Sequence, residues 1–300
     1  MTSVAATRAG SVVLASAAVV AIGSSFVAAS TLVEFPFLGG QALRYGAGAL
    51  ALWLYTRMVR ARLTSPTRRE WLRLIVLGVV GQAGFNLAVL AALRTASPAA
   101  VAAVVGGVPV VLAVAGPLLD RHLPHARAVF AAAIVVAGAA LVQGVAGPDL
   151  AGFAFAVGAL FAEVSFSMLA VPLLPRLGPT TVSLYSCIAA CALLAVAAVA
   201  LDGERALARP TLPEAVALGH LALLVTAAAF VWWYRALLDL GPARMGLFAG
   251  LIPVSAAGCA ALIGVSPFDP VQIAGCLIVA GGVVVGMSTP RRTQRSWPAR

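Results

Sequence analysis

The sequence predicts an all-α integral membrane protein in which ten transmembrane helices form two inverted repeats of five helices. The first observation is composition: hydrophobic residues occupy 62% of 300 positions, charged residues 10%, and the mean hydropathy is +1.02, far from the balance of a soluble domain. The second is that apolar stretches of about 20 residues, the length that crosses a ~30 Å hydrocarbon core, follow one another with short connections. The third is that a passage in the first half of the chain recurs in the second half.

The apolar stretches define the elements in order. The first follows a short polar lead and lacks a clear loop for cleavage, so we interpret it as a retained helix, with a cleaved signal peptide as the alternative. The predicted domains are a first five-helix repeat over residues 1–146, a second over 147–290 and a basic cytoplasmic tail over 291–300. The ten predicted spans cover residues 11–33, 37–59, 72–93, 98–119, 126–143, 150–171, 179–201, 214–237, 242–264 and 270–287.

The recurring passage contains two prolines at a fixed spacing. Its first copy reads ALRTASPAAVAAVVGGVPVVLAVAGPLLD and its second reads ALLDLGPARMGLFAGLIPVSAAGCAALIG. Pro98 corresponds to Pro242 and Pro109 corresponds to Pro253, because 109 − 98 and 253 − 242 both equal 11. The first proline of each copy suits the opening turn of a helix, where its missing N–H has no partner in any case.

Pro109 and Pro253 are the predicted helix-break positions. A proline inside a helix removes a backbone hydrogen bond and pushes on the preceding turn. In lipid the freed carbonyl needs another partner, and paired broken helices in two halves of a membrane protein point to a transport site. A plain packing kink is the alternative interpretation.

The spacing of the two copies also predicts their relative orientation. An offset of 253 − 109 = 144 residues carries the fourth span onto the ninth, so that five helices map onto five. Repeats with an odd number of spans lie in opposite orientations, which places a pseudo-two-fold axis in the membrane plane and a site near the midplane between the repeats.

The arginines predict the topology. All twenty basic residues are arginine, and only Arg94, Arg205 and Arg209 fall on the side opposite the N-terminus. Because basic residues concentrate in cytoplasmic loops, both termini are predicted to be cytoplasmic. Six aromatic residues fall near the predicted inner ends of their spans, where aromatic rings favour the headgroup region: Trp53, Tyr55, Trp71, Trp232, Trp233 and Tyr234. The Ala-rich, Lys-free composition favours the inner membrane of a bacterium.

The chain resembles a known family. The residues that carry the resemblance are GSSFVAASTLVEFPFLGGQALRYGAGALALW, the two proline passages and the closing PVQIAGCLIVAGGVVVG. They are similar to the EamA-type ten-helix members of the drug/metabolite transporter superfamily over nearly the whole chain. The resemblance implies a secondary carrier, usually an exporter of metabolites or amino acids driven by an ion gradient. A cofactor is not expected.

Glu163 is the most informative single residue. It lies about 13 positions into the sixth span, so at ~1.5 Å per residue it is roughly 20 Å from the outer face of the hydrocarbon core. A carboxylate at that depth is costly and normally faces a cavity, which predicts a role in proton coupling or in binding a cationic group of the solute. The alternative is a protonated side chain that bonds to a neighbouring helix.

Four more polar residues lie at membrane depth. Gln82 and Asn86, four residues apart, share a face of the third helix, and with Arg44 and His220 they are predicted to form a polar layer. An arginine early in the second helix is also a feature of the family, which implies that Arg44 holds a substrate carboxylate. The alternatives are an ion pair between Arg44 and Glu34, interhelical bonds for the two amides, and an interfacial position for His220.

These observations predict a non-enzymatic secondary transporter that exports small metabolites or amino acids by proton-coupled alternating access. A flippase or a membrane-embedded enzyme acting on a lipid-linked intermediate is the alternative. Cys187 and Cys191 share a helix face, but small apolar packing residues are the favoured interpretation. His122 and His125 lack obvious further ligands, so no metal site is predicted. The expected partners are a small-molecule solute and the lipid bilayer, with a homodimer as one assembly open to the chain. Nucleic acid is not expected, because the arginines lie in short loops between apolar spans.

Overall fold

The computed structural model describes residues 2–32, 34–92, 94–95, 101, 104–119, 123–143, 150–264 and 270–287. Its long helices number ten within these residues, where no strand occurs. They are α1 (Thr2–Ser30), α2 (Phe37–Met58), α3 (Arg68–Ala92), α4 (Val108–Leu119), α5 (Ala126–Gln143), α6 (Leu150–Met168), α7 (Leu174–Asp202), α8 (Leu212–Leu240), α9 (Pro242–Leu262) and α10 (Pro270–Met287). The predicted all-α membrane fold is confirmed. Pro98, the boundary at residue 146 and the tail over 291–300 lie outside the described residues.

Seven of the ten helices, α1, α3 and α6 to α10, are long and apolar enough to cross a membrane by themselves. Helices α4 and α5 are shorter apolar helices, and α2 spans 22 residues that include Arg44 and Arg57. Large apolar side chains such as Phe161, Val196 and Leu277 are 57% to 69% exposed around the bundle. This pattern, with apolar side chains on the outside as well as inside, is that of a helix bundle in lipid.

The repeats pack against each other as a pseudo-two-fold axis requires. Equivalent helices meet across the axis in the pairs α2–α7, α4–α9 and α5–α10. Helix α3 contacts α7, and its counterpart α8 contacts α2. Helix α1 packs on α8 and α9, so it is an integral part of the bundle. The predicted arrangement of two inverted five-helix repeats is confirmed.

Glycines allow the closest approaches between helices. A Cβ atom added at Gly138 in α5 would lie 2.8 Å from the backbone nitrogen of Val279 in α10. One added at Gly81 in α3 would lie 2.8 Å from the Cα of Phe166 in α6. Such small-residue contacts replace the hydrophobic effect as the source of packing energy between helices in lipid.

The two ends of the bundle differ in sequence and in contacts. We call the end that carries the α2–α3 connection, with the exposed Arg60 and Arg62, the arginine side, and the other end the opposite side. Because successive helices alternate in direction, the start of α1 and the end of α10 both lie on the arginine side. A hydrogen bond of 2.8 Å that Ser11, early in α1, donates to Asp239, near the end of α8, agrees with this arrangement.

Matching capping boxes open the third helix of each repeat. Thr67 and Glu70 cap the start of α3, and Thr211 and Glu214 cap the start of α8, each pair with reciprocal side-chain to backbone bonds. Such boxes satisfy the free N–H groups of the first turn. Because 211 − 67 = 144, this local signal repeats at the same offset as the prolines.

Trp233 and Tyr234, two of the aromatic residues predicted near the inner ends of their spans, pack into the bundle. Trp233 is 1% exposed and donates a hydrogen bond of 3.2 Å to Ser167, and Tyr234 is 0% exposed and stacks on Phe166 at 4.9 Å. Both residues lie on the face of α8 that packs inward, and position along the helix axis alone did not reveal that face.

Candidate functional site

One π-helical segment interrupts the third helix of each repeat, and the two segments lie at equivalent places. They are Leu77–Gly84 in α3 and Leu221–Ala228 in α8. Both contain eight residues, and 221 − 77 = 144 reproduces the offset between the repeats. A π-helix is rare and frequently marks a functional site. The same offset carries Gln82 onto Thr226, so each segment has a polar side chain at the same position.

The Gln82 and Thr226 side chains each form a hydrogen bond with a residue of the other repeat. Gln82 Nε2 donates a hydrogen bond of 2.8 Å to Ser186 Oγ in α7. Thr226 Oγ1 accepts a hydrogen bond of 2.8 Å from Arg44 Nε in α2. Gln82, Ser186 and Thr226 are all buried. The inverted repeats thus form two related polar contacts, of which only one carries a charge.

Arg44 is held by neutral groups. Besides Thr226, its guanidinium donates from Nη1 to Gln41 Oε1 at 3.4 Å and lies 5.3 Å from the centre of the Tyr45 ring. Arg44 is half-buried, and within the described residues it forms no ion pair with Glu34 or any other carboxylate. A fixed guanidinium with no counter-charge is suited to binding an anionic group.

Asn86 joins these residues into one group. Its Nδ2 donates to Tyr45 Oη at 3.0 Å and to the backbone oxygen of Gln82 at 2.8 Å. The structure therefore brings together three predicted residues, Arg44, Gln82 and Asn86, around Tyr45. We call the following set the polar layer: Arg44, Tyr45, Gln82, Asn86, Ser186 and Thr226.

Glu163 lies on the inward face of α6. It shares that face with the buried Ala159 and Phe166, whereas Phe161, on the opposite face, is exposed. The Glu163 carboxylate is half-buried and has no hydrogen-bond or ion-pair partner in the part of the chain that the structure describes. Glu163 thus faces the interior of the bundle.

His220 bonds to α1 and not to the polar layer. Its Nε2 lies 2.9 Å from Ser24 Oγ, and that hydroxyl donates to the backbone oxygen of Ala21 at 2.7 Å. Because the Ser24 hydrogen is used in this way, His220 Nε2 acts as the donor. His220 directly precedes the second π-helical segment, so its hydrogen bond with Ser24 links α1 to that segment.

Pro109 and Pro253 stand at the start of helical segments rather than inside continuous helices. Gly106 and Gly107 form a turn before α4, and α9 is interrupted by a turn at Gly250 and Leu251. Each proline is the second residue of the segment that follows its turn. The backbone hydrogen bond that the proline lacks is therefore one that the first turn of a helix lacks anyway.

Aromatic rings pack beside the polar layer. Phe166 lies 4.8 Å from Phe230 and 4.9 Å from Tyr234, and Tyr45 lies 6.5 Å from Phe230, measured between ring centres. Tyr234 Oη also donates to the backbone oxygen of Phe166 at 3.4 Å. These contacts pack α2, α6 and α8 against one another at the centre of the bundle.

The sequence contained a signal for some of the residues that were not predicted. Thr226 follows from Gln82 by the 144-residue offset, and Tyr45 is adjacent to Arg44. Ser186 has no such signal, because its role depends on the distance between α3 and α7. Tyr234 was predicted at the interface from its position along the helix axis, which does not show that its side chain faces the interior.

A lateral groove lies between α1 and α9. It has a volume of roughly 320 Å³ and a mainly apolar lining that includes Val19, Val254 and Leu262.

No group of three or more His, Cys, Asp and Glu side chains with the spacing of a metal site occurs among the described residues.

The comparisons with known proteins agree with this architecture. The model of the EamA-like transporter family matches the chain twice, over residues 9–143 and 150–287. A solved crystal structure of a protein 19% identical to this chain has a TM-score of 0.82, and the alignment covers 95% of this chain and 100% of that one. At that identity the likeness shows the fold alone. No curated protein matches. The chain is a multi-pass membrane protein that belongs to the EamA-like transporter family.

Proposed function

We propose that the protein is a secondary transporter that exports small metabolites or amino acids in exchange for protons, by alternating access between its two repeats. The observation that carries this proposal is the Glu163 carboxylate, which faces the interior of the bundle with no fixed counter-charge among the described residues. The experiment that tests it is a measurement of proton-driven solute flux in the Glu163→Gln variant.

Proton coupling follows from the cost of an unpaired charge in a low-dielectric interior. A half-buried carboxylate at membrane depth is more stable when it is neutral or paired with a cation than when its charge is unpaired. A proton and a cationic group of the solute therefore compete for Glu163. Because the group can hold one or the other, binding of the solute releases the proton, and protonation releases the solute. This competition is the chemical basis of antiport.

Alternating access is supported by contacts that differ between the two ends of the bundle. On the arginine side, Arg176 at the start of α7 binds Glu70 with a hydrogen bond of 2.6 Å from Nε to Oε1, and it also donates to Ser65 O at 3.1 Å. On the opposite side, the equivalent Glu214 bonds only to its own capping residue, Thr211, within the described residues. We infer that the structure is closed on the arginine side.

The Glu70→Gln variant tests this assignment. Removing the ion pair should favour the conformation that is open on the arginine side by at most about fivefold, because a partly exposed pair contributes about 0 to 1 kcal/mol. The measurement is the rate of maleimide labelling of a cysteine at Leu177, which is 3% exposed, in a variant whose four native cysteines are replaced. Glu214→Gln is the matched control, since it alters the other capping box without removing an ion pair. Equal labelling rates in the two variants contradict the assignment.

We also propose a localisation, a topology and a set of partners for the protein. The arginine side is assigned to the cytoplasm of a bacterial cell, because basic loops stay on that side of the inner membrane. Both termini are then cytoplasmic. The partners are a small-molecule solute and the lipids around the bundle, and the homodimer remains an assembly to test.

A lipid flippase is the second candidate, favoured by the groove between α1 and α9. A groove that opens sideways would admit an acyl chain from the bilayer. The test uses vesicles with a fluorescent phospholipid and a membrane-impermeant reductant. A flippase increases the fraction of lipid that the reductant reaches, whereas a carrier of soluble metabolites leaves that fraction at the value of protein-free vesicles.

A further inference from the structure

Helices α2 and α7 are related by an offset of 142 residues. This offset carries Arg44 onto Ser186, just as the offset of 144 between α3 and α8 carries Gln82 onto Thr226. The Gln82–Ser186 and Arg44–Thr226 hydrogen bonds are then two copies of one contact. Burial supports this register, since both members of each of the following pairs are buried: Gly40 and Val182, Tyr45 and Cys187, Gly48 and Ala190, Leu52 and Leu194, Thr56 and Ala198.

The two offsets relate the ion pair on the arginine side to two carboxylates on the opposite side. Arg176 corresponds to Glu34, because 176 − 34 = 142, and Glu70 corresponds to Glu214, because 214 − 70 = 144. On the arginine side a cation of one repeat therefore binds an anion of the other. At the equivalent positions of the opposite side, both repeats present an anion.

The contacts of α2 with α8 place Glu34 and Glu214 at one junction. A Cβ atom added at Gly40, in the first turn of α2, would lie 3.1 Å from the Phe35 ring and 3.9 Å from the Leu218 side chain. Glu34 directly precedes Phe35, and Glu214 lies one helical turn before Leu218. Phe35 and Leu218 are both 8% exposed. The two carboxylates thus border the same buried contact between the repeats.

Neither carboxylate has a cationic partner in this conformation. Glu34 is exposed and forms no ion pair within the described residues. Glu214 bonds there only to Thr211, its capping residue. The opposite side therefore lacks an equivalent of the ion pair that joins the repeats on the arginine side.

Three elements surround this junction: the end of α1, the α7–α8 connection and α8 itself. Residues 9–32, which include the end of α1, contain no charged residue. In α8, His220 bonds to Ser24 of α1. The α7–α8 connection packs on α2, since the backbone oxygen of Ala206 would lie 3.0 Å from a Cβ atom added at Gly39. The charged residues at the end of α7 and in this connection are Asp202, Glu204, Arg205 and Arg209. Neither arginine forms an ion pair in the described part of the chain.

We propose that Glu34 and Glu214 form a proton-binding gate, which closes the opposite side of the bundle when the two carboxylates share a proton. Alternating access between inverted repeats exchanges the contacts of the two ends. Closure of the opposite side then brings Glu34 and Glu214 together, as Arg176 and Glu70 are joined on the arginine side. Two ionised carboxylates in contact repel each other, whereas a carboxylic acid donates a hydrogen bond to the carboxylate beside it.

The proton of the gate comes from the solution on the opposite side and returns to it when the gate opens. The gate therefore makes closure depend on the pH of that side without carrying the proton across the membrane. It rests on the alternating access of the proposed function, but on neither a particular solute nor Glu163.

The experiment measures opening of the arginine side while the pH changes only on the opposite side. The full-length protein carries Leu177→Cys in a background whose four native cysteines are replaced, together with Glu163→Gln, which removes the interior carboxylate. A membrane-impermeant maleimide outside proteoliposomes, at neutral pH, labels only the molecules whose arginine side faces outwards. Lowering the luminal pH from about 8 to about 5 should raise the labelling rate about twofold to fivefold, since water screens interactions between exposed charges.

The variants assign this response to the two carboxylates. Glu34→Arg supplies the cation that Arg176 supplies on the arginine side, so the labelling rate should be high at both luminal pH values. Glu34→Gln removes the repulsion and should also abolish the pH response. Glu204→Gln, at another exposed position of the same end, is the matched control and should keep the response. The comparison of Glu70→Gln with Glu214→Gln is made at acidic luminal pH, where the second variant removes no repulsion.

Two results overturn the proposal. The first is a labelling rate that does not change between the two luminal pH values, and the second is a pH response that persists in Glu34→Gln. Counterflow of amino acids, small metabolites and lipophilic cations by the protein with its native Glu163 then shows what has failed. Exchange of any of them leaves alternating access standing without a proton gate. The absence of any exchange removes the transport function as well.

Discussion

Replacing Glu163 by Gln should abolish solute-dependent proton movement in proteoliposomes, while solute counterflow should continue at saturating solute. The amide keeps the size of the side chain and one acceptor oxygen, but it cannot bind or release a proton. Counterflow needs only the binding of solute and the conformational change. The two activities should therefore separate, with the proton signal reduced to background and the exchange retained once the solute concentration offsets its weaker binding.

The measurement uses a pH-sensitive dye inside the vesicles during addition of amino acids, small metabolites and lipophilic cations. Glu204→Gln removes an exposed carboxylate on the opposite side and should leave the pH response unchanged. Glu163→Asp, which keeps the titratable group, should retain part of it. A wild-type pH response in Glu163→Gln would show that the carboxylate has a structural role, and that another group or another ion provides the coupling.

The repeat was the most informative part of the sequence, because the 144-residue offset is a property of the whole fold. The same spacing that relates Pro109 to Pro253 also relates the capping boxes at Thr67 and Thr211 and the two π-helical segments. Hydropathy alone located all ten helices, since a segment in lipid must be about 20 residues long and satisfy its own backbone hydrogen bonds. The fold was thus predictable from length, composition and periodicity.

The contacts within the site were only partly predictable. Gln82 and Asn86 were predicted on one face of α3, because four residues make about one helical turn, and the Asn86 amide bonds to the backbone oxygen of Gln82. The partner of His220 was not predictable, because Ser24 approaches it through the packing of α1 against α8. The π-helical segments were also not predictable, since the extra residue in each turn depends on the neighbouring helices and not on a local residue pattern.

The close approach of α3 to α7 leads to the second large effect. Gly78 lies in the first π-helical segment, where an added Cβ would overlap the carbonyl oxygen of Ser186 and lie 2.9 Å from the Cβ of Ala189 and 3.0 Å from the backbone nitrogen of Ala190. Two of these three atoms belong to the backbone of α7 and cannot move aside independently. Gly78→Ala should therefore push the two helices apart.

The expected cost of Gly78→Ala is about 1 to 3 kcal/mol, the usual range for overpacking, which for a chain of this length lowers the Tm by roughly 2 to 5 °C. Transport should fall as well, because the displaced helices carry Gln82 and Ser186, whose 2.8 Å hydrogen bond joins the repeats. Gly219→Ala is the control: in α8 an added Cβ at Gly219 has no neighbour within 4 Å, and alanine favours the helix by about 1 kcal/mol. A Gly78→Ala protein as stable and as active as Gly219→Ala would mean that α3 and α7 are farther apart in the membrane. In that case the hydrogen bond between Gln82 and Ser186 would not join the two repeats at 2.8 Å.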